Sequence, residues 1–142
     1  MKARYLFVLV GIMALIFSAC SGAESAGGSL QSAEELAAGL QEQGLDAAVA
    51  EQLETDLFSV PAVIVNAGGE SIQVYEYANE AAAQADAALV DASGSSIGGS
   101  MPFWVDVPHF FRNGNLIVLY VGSDGSVLSA LEALLGPQFA GR

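Results

Sequence analysis

Side chains able to do chemistry are few and scattered in this chain. Its 142 residues include one cysteine, Cys20, and one histidine, His109. A lone thiol cannot close an internal disulfide or build a cysteine-based zinc site. A single imidazole makes no multi-histidine metal site. Asp106 precedes His109 closely enough to orient its ring for acid–base work, but no activated nucleophile accompanies the pair. Ser93-Gly94-Ser95-Ser96 reads as a flexible loop after a helix, whereas a nucleophile elbow follows a strand. No glycine pattern matches a P-loop or a dinucleotide fingerprint. Glu42, Asp46 and Glu51 lack the spacing of a calcium loop. Lys2 is the single lysine, so nothing beyond the leader can form a Schiff base. The expectation is a chain with no catalytic residues, no metal and no dissociable cofactor; an enzyme centred on Asp106 and His109 is the rival.

Cys20 gains meaning from what precedes it. Lys2 and Arg4 form a short cationic start, and Tyr5 to Phe17 is apolar apart from Gly11. That run is shorter than the ~20 residues of a membrane span and fits the core of an export signal. Ser18-Ala19-Cys20 follows at once. Small residues before a cysteine, directly after an apolar core, resemble the lipobox of bacterial lipoproteins processed by signal peptidase II. The resemblance implies cleavage before Cys20, a diacylglycerol on its sulfur and an acyl chain on the new amino group. Phe17 stands where that family usually has Leu, and plain secretory cleavage after Ala19 or Ala23 is the alternative. Two or three acyl chains hold a small domain firmly on a bilayer. Ser21, in place of Asp, resembles lipoproteins sorted to the outer membrane where the host has two membranes. The expected location is the extracytoplasmic side of a cell membrane.

The charge is −12, which excludes a general nucleic-acid binder because phosphate binding needs clustered cations. Cleavage before Cys20 would remove Lys2 and Arg4 and no acid, taking the charge to −14 and leaving Arg112 and Arg142 as the fixed cations. Such a surface disfavours anionic headgroups, so attachment has to come from lipid. Apolar residues make up 53% and charged ones 14%, a balance that suits a packed domain.

The expected organisation is a leader at 1–19, a lipidated cysteine with a flexible tether at 20–31, and one α+β domain at 32–142. Ser21 to Ser29 is small, polar and glycine-rich. Ser32-Ala33-Glu34-Glu35 matches a capping box, with Leu36 and Leu40 on one helical face and Gly44 as the stop. Asp46 would cap a second short helix carrying Val49, Leu53 and Leu57. Strands are predicted over Val60 to Asn66 and Ser71 to Tyr77, turning at Gly68-Gly69. A helix over Ala81 to Val90, capped by Asn79, and a Gly/Ser loop follow. Next come an extended segment from Phe103 to Arg112, interrupted by Pro108, a turn at Asn113-Gly114 and a strand from Leu116 to Val121. Asp124 caps a last helix, Ser126 to Leu135, stopped by Gly136-Pro137.

The two hairpin–helix units repeat with a shift of 45, which lays Gly69–Tyr75 on Gly114–Tyr120 and Asn79 on Asp124. The expectation is a ββαββα arrangement after an N-terminal helical segment. It would form a four-stranded antiparallel sheet with both repeat helices on one face, resembling a permuted ferredoxin-like sandwich. A two-residue Asn113-Gly114 turn would set Phe111 opposite Leu116, Phe110 opposite Ile117 and His109 opposite Val118. One face would then carry Tyr75, Tyr77, His109, Phe111 and Tyr120, too apolar to be left to water. The N-terminal helices could cover it through Leu36, Leu40, Val49 and Leu53. A second copy or another envelope protein could pair there, or a small apolar ligand could sit against His109 and the tyrosines. His109 and Trp104 each read more readily as packed core residues than as functional ones.

Three blocks carry a second likeness: Pro108-His109-Phe110-Phe111, Asn113 to Gly122, and Gly136-Pro137-Gln138-Phe139-Ala140-Gly141. From Leu40 onward the chain resembles uncharacterised small bacterial lipoproteins. That resemblance implies a class and a location and transfers no activity and no functional residues; with the weak enzyme signals, the expectation is a non-enzymatic envelope module that binds a partner or ligand.

Overall fold

Ser32 starts the first helix as its spacing predicts: its hydroxyl accepts from the Glu35 N–H at 3.2 Å. Glu35 reaches back to Gln31 N at 2.7 Å, one residue earlier than a reciprocal box requires. The computed structural model in which these bonds are seen describes residues 28–142. The leader, Cys20 and most of the expected tether therefore lie outside the described residues. The elements are α1 (Ala33–Glu42), β1 (Ala47–Leu53), β2 (Ala62–Ala67), β3 (Glu70–Glu76), α2 (Glu80–Ala87), β4 (Pro108–Asn113), β5 (Leu116–Val121), α3 (Gly125–Leu135) and β6 (Ala140–Gly141).

One antiparallel sheet has the strand order β1-β2-β3-β5-β4-β6. It has six strands, where four were expected. The extra outer strand on one side is the segment expected to form a second helix. Ala47, Val49 and Ala67 lie on one face along the β1–β2 ladder, and this non-local pairing overrides the helix preference of an alanine-rich stretch. β1 is an exposed edge, broken by a register shift between Val49 and Gln52 and carrying Glu51; both features discourage edge-to-edge association. On the other side, β6 covers the outer edge of β4, and Phe139 N donates to Phe110 O at 2.9 Å.

The β4–β5 turn also departs from expectation. Asn113 pairs with Leu116, so the two turn residues are Gly114-Asn115, and His109 faces Tyr120 while Phe111 faces Val118. The shift moves each pairing by two positions and leaves side-chain parity intact. Asn113 is drawn into the strand because its side chain accepts from Leu30 N at 2.8 Å, while Asn115 Nδ2 donates to Tyr77 O at 2.7 Å. Leu30 packs against the core, so residues 30–31 belong to the domain, not to the tether.

The larger correction concerns the two faces. Ile72 pairs with Tyr120, Val74 with Val118, and Tyr75 with Ile117. The repeat lays Ile72 on Ile117, yet these residues point to opposite sides. The two halves are out of step by one residue across the sheet centre, so their helices pack on opposite faces. α1 and α3 cover the face of Ile72, Val74, Phe111, Val118 and Tyr120. α2, through Ala83 and Ala87, shares the other face with Phe58, Tyr75, Tyr77, Phe110 and Ile117. A ferredoxin-like sandwich needs both helices on one side, and this chain is not arranged that way. It remains α+β, with three helices around an antiparallel sheet.

Pro108 opens β4, where its missing N–H costs no ladder bond. Phe103 to Val107, expected to belong to that extended segment, is irregular. Asp124 caps α3 by accepting from Ser126 N at 2.8 Å and Val127 N at 3.0 Å, and Gly136 ends it at φ 85.

Candidate functional site

β4 places His109 under α3, where it is 6% exposed. Nε2 lies 3.1 Å from Gly122 O and Nδ1 2.8 Å from Gln138 Oε1. A carbonyl only accepts, so Nε2 carries a hydrogen. The ring stacks on Tyr120 with centroids 6.1 Å apart and planes at 20°. Asp106 bonds elsewhere: Oδ1 accepts from Val107 N at 2.7 Å and Oδ2 from Ser123 Oγ at 3.4 Å. Both imidazole nitrogens are thus engaged by other groups, and the Asp106–His109 pair weighed from the sequence is not assembled.

The expected aromatic face is also divided. His109, Phe111 and Tyr120 lie on the α1/α3 side, and Tyr75 and Tyr77 on the α2 side. All five are buried, so they form no exposed interaction surface. Leu36 and Leu40 of α1 do take part in the cover, as the sequence suggests, and Val49 packs at its edge. Leu53 is exposed instead.

Among the described residues, each tyrosine hydroxyl has a hydrogen-bond partner. Tyr120 donates to Glu70 Oε2 at 3.2 Å and accepts from Asp124 N at 3.1 Å. Tyr75 donates to Gln73 Oε1 at 2.7 Å. Tyr77 donates to Asp86 Oδ2 at 2.9 Å, and the same oxygen accepts from Ser59 N at 2.8 Å and Ser59 Oγ at 2.7 Å. Burial pushes all three phenols above their ordinary range, and the Asp86 carboxylate adds to this at Tyr77. Burial alone would raise Asp86, but the bonds from Ser59 and Tyr77 outweigh it and hold the carboxyl below its usual range. Asp86 thereby clips the 54–61 loop, and with it Phe58, onto α2.

The serine loop is a closed hydrogen-bonded turn. Asp91 accepts from Ser96 N at 2.9 Å, Ser93 Oγ at 2.7 Å and Ser95 Oγ at 3.1 Å. The Ser96 N–H and the Ser93 hydroxyl lead in lowering its carboxyl to about 2. The turn presents Gly94 O to the Trp104 indole N–H at 2.8 Å, and Trp104 lies edge-on to Phe110. Among the described residues, no buried side-chain nitrogen or oxygen lacks a hydrogen-bond partner.

What remains open is on the outside. A cleft of about 300 Å³ lies between the His109 edge, Glu132, Gln138 and Arg142. More prominent is the irregular segment ahead of β4. Met101, Phe103 and Val105 are 81%, 95% and 89% exposed. Their alternation is visible in the sequence, but only the pinning of Trp104 decides which parity faces water. Among the described residues, no cluster of His, Cys, Asp and Glu could hold a metal ion, and no helix is long and apolar enough to cross a membrane. No family model, curated protein or solved structure matches the chain.

Proposed function

We propose that this chain is a lipid-anchored lipoprotein of the cell envelope, held on the extracytoplasmic side of a membrane through Cys20. Its domain acts as a non-enzymatic binding or interaction module. The observation that carries the reading is the apolar run from Tyr5 to Phe17 ending in Ser18-Ala19-Cys20, the chain's single cysteine. Cys20 would carry a diacylglycerol and an N-acyl chain, with the outer membrane as destination in a host that has two. The acidic composition, with Arg112 and Arg142 as the fixed cations beyond the leader, supports attachment by lipid rather than by basic residues. Partners of this reading are the membrane itself and an envelope protein, a small ligand or a second copy; nucleic acid is not among them. Metabolic labelling with palmitate, followed by fractionation, tests it. Wild type should carry label in the membrane fraction, and Cys20→Ala should carry none. Equal labelling of both, or no labelling of wild type, refutes it.

A second reading, a structural domain whose sheet caps itself, is favoured by the burial of both sheet faces under α1, α2 and α3. The exposed Met101–Val105 segment supports the interaction module instead.

A further inference from the structure

The Met101–Val105 segment is built to project apolar side chains. The Trp104 ring is fixed inward by Gly94 O and Phe110. Met101, Phe103 and Val105 alternate with the half-buried Pro102 and Trp104 and stand out into water. Three large apolar side chains within five residues, each more than four-fifths exposed, are not explained by packing inside the domain. From Ala92 to Val105 no residue is charged, although the chain as a whole is strongly acidic. The domain's negative surface would be repelled by anionic headgroups, and this stretch, bracketed by Asp91 and Asp106, is where the penalty for approaching a bilayer is lowest.

We propose that Met101, Phe103 and Val105 form a second membrane contact, entering the interfacial region of the bilayer that holds the Cys20 lipid. The inference rests on the lipid-anchor reading and adds an orientation to it. Leu30 is bonded to Asn113, so the chain enters the domain at one end of β4. The apolar segment leads into Pro108 at the other end, and the strand between them has 6 residues, about 20 Å at ~3.4 Å per residue. Residues 20–27 can span about 28 Å at most when fully extended. The tether therefore reaches far enough for the exposed segment to meet the bilayer that holds the anchor. The anchor supplies the bilayer at high effective concentration, so a modest apolar contact suffices to fix this orientation. A fluid interface accepts a protruding ring without a preformed pocket, which suits side chains standing out as far as Phe103 does.

Trp104 is the chain's one tryptophan and reports on the segment directly. The lipidated full chain is reconstituted in phosphatidylcholine vesicles with and without acyl-chain bromination, and the N-terminal peptide is checked by mass. Brominated lipid should quench Trp104. M101D/F103D/V105D should keep the lipid, float with the vesicles and retain wild-type circular dichroism, but lose the quenching. Unquenched Trp104 in a chain shown to be lipidated overturns the second contact and leaves the anchor standing. An unmodified Cys20 removes the anchor reading and this inference with it. A photo-crosslinker at position 103 should capture lipid in intact cells; capture of a protein there in place of lipid overturns the membrane contact.

Discussion

Leu36→Ala tests whether α1 is a structural cover of the sheet or a loosely docked appendage. Leu36 and Leu40 are fully buried and stack four residues apart against the face of Ile72, Val74 and Val118. α1 is tied in at its start, where Ala33 N donates to Glu76 Oε1 of β3 at 2.6 Å. Leu36 is enclosed on all sides by the core, so truncation should cost about 3–4 kcal/mol, within the range for buried Leu→Ala changes. Small domains are stable by about 5–15 kcal/mol, so this is a large share of the total and should lower Tm by about 10–20 °C. Urea unfolding should show the midpoint falling at unchanged slope. Glu34→Ala, on the exposed side of the same helix, should stay within about 0.5 kcal/mol of wild type. A Leu36→Ala chain as stable as Glu34→Ala would mean that α1 does not seal the face, and the assignment of its cover would fall.

Asp86→Asn should destabilise by about 1 kcal/mol at neutral pH, because one oxygen gathers Ser59 N, Ser59 Oγ and Tyr77 OH. Folding lowers this carboxyl, so its contribution is present above the unfolded value of ~4 and is lost as pH falls through the lower folded value. Wild type should therefore show an acid limb in Tm against pH that Asp86→Asn flattens. The phenols work in the opposite sense. Folding raises Tyr75, Tyr77 and Tyr120, so stability is full below the ordinary value of ~10 and declines as pH rises above it. Tyr77→Phe should shallow that alkaline decline, and an unaltered decline would count against the assignment. Gly94 sits at φ 70 with Phe110 Cε2 2.9 Å and Gly141 Cα 3.1 Å from where a Cβ would stand; Gly94→Ala should cost about 2–3 kcal/mol. Gly69, at φ 87 but with open space around it, should cost nearer 1 kcal/mol as Gly69→Ala in the same thermal unfolding assay.

Locally encoded features were readable from the sequence. Ser32, Asn79 and Asp124 each cap a helix through bonds to the next few residues, and Gly68-Gly69 turns the first hairpin with both φ positive. Features set by distant partners were not. Asp46 to Leu53 carries a plausible helical stripe, and only the β2 ladder makes it a strand. The Asn113-Gly114-Asn115 run contains two overlapping turn dipeptides, and hydrogen bonds to Leu30 and Tyr77 select the second. The repeat matched residue types and missed parity, because which side Ile72 shares depends on the β3–β5 pairing. That error moved Tyr75 and Tyr77 onto the wrong face. His109 was visible as a lone imidazole, but its partners, Gly122 and Gln138, come from segments outside its strand. β6 has two residues and no pattern to detect.

The proposed lipid anchor is tested most directly by the mass of the N-terminal peptide of the chain isolated from the membranes of its host. The predicted result is a peptide beginning at Cys20 with a diacylglycerol on its sulfur. A chain that keeps residues 1–19, or one that begins at Cys20 or Ser21 with no lipid on it, would contradict the account.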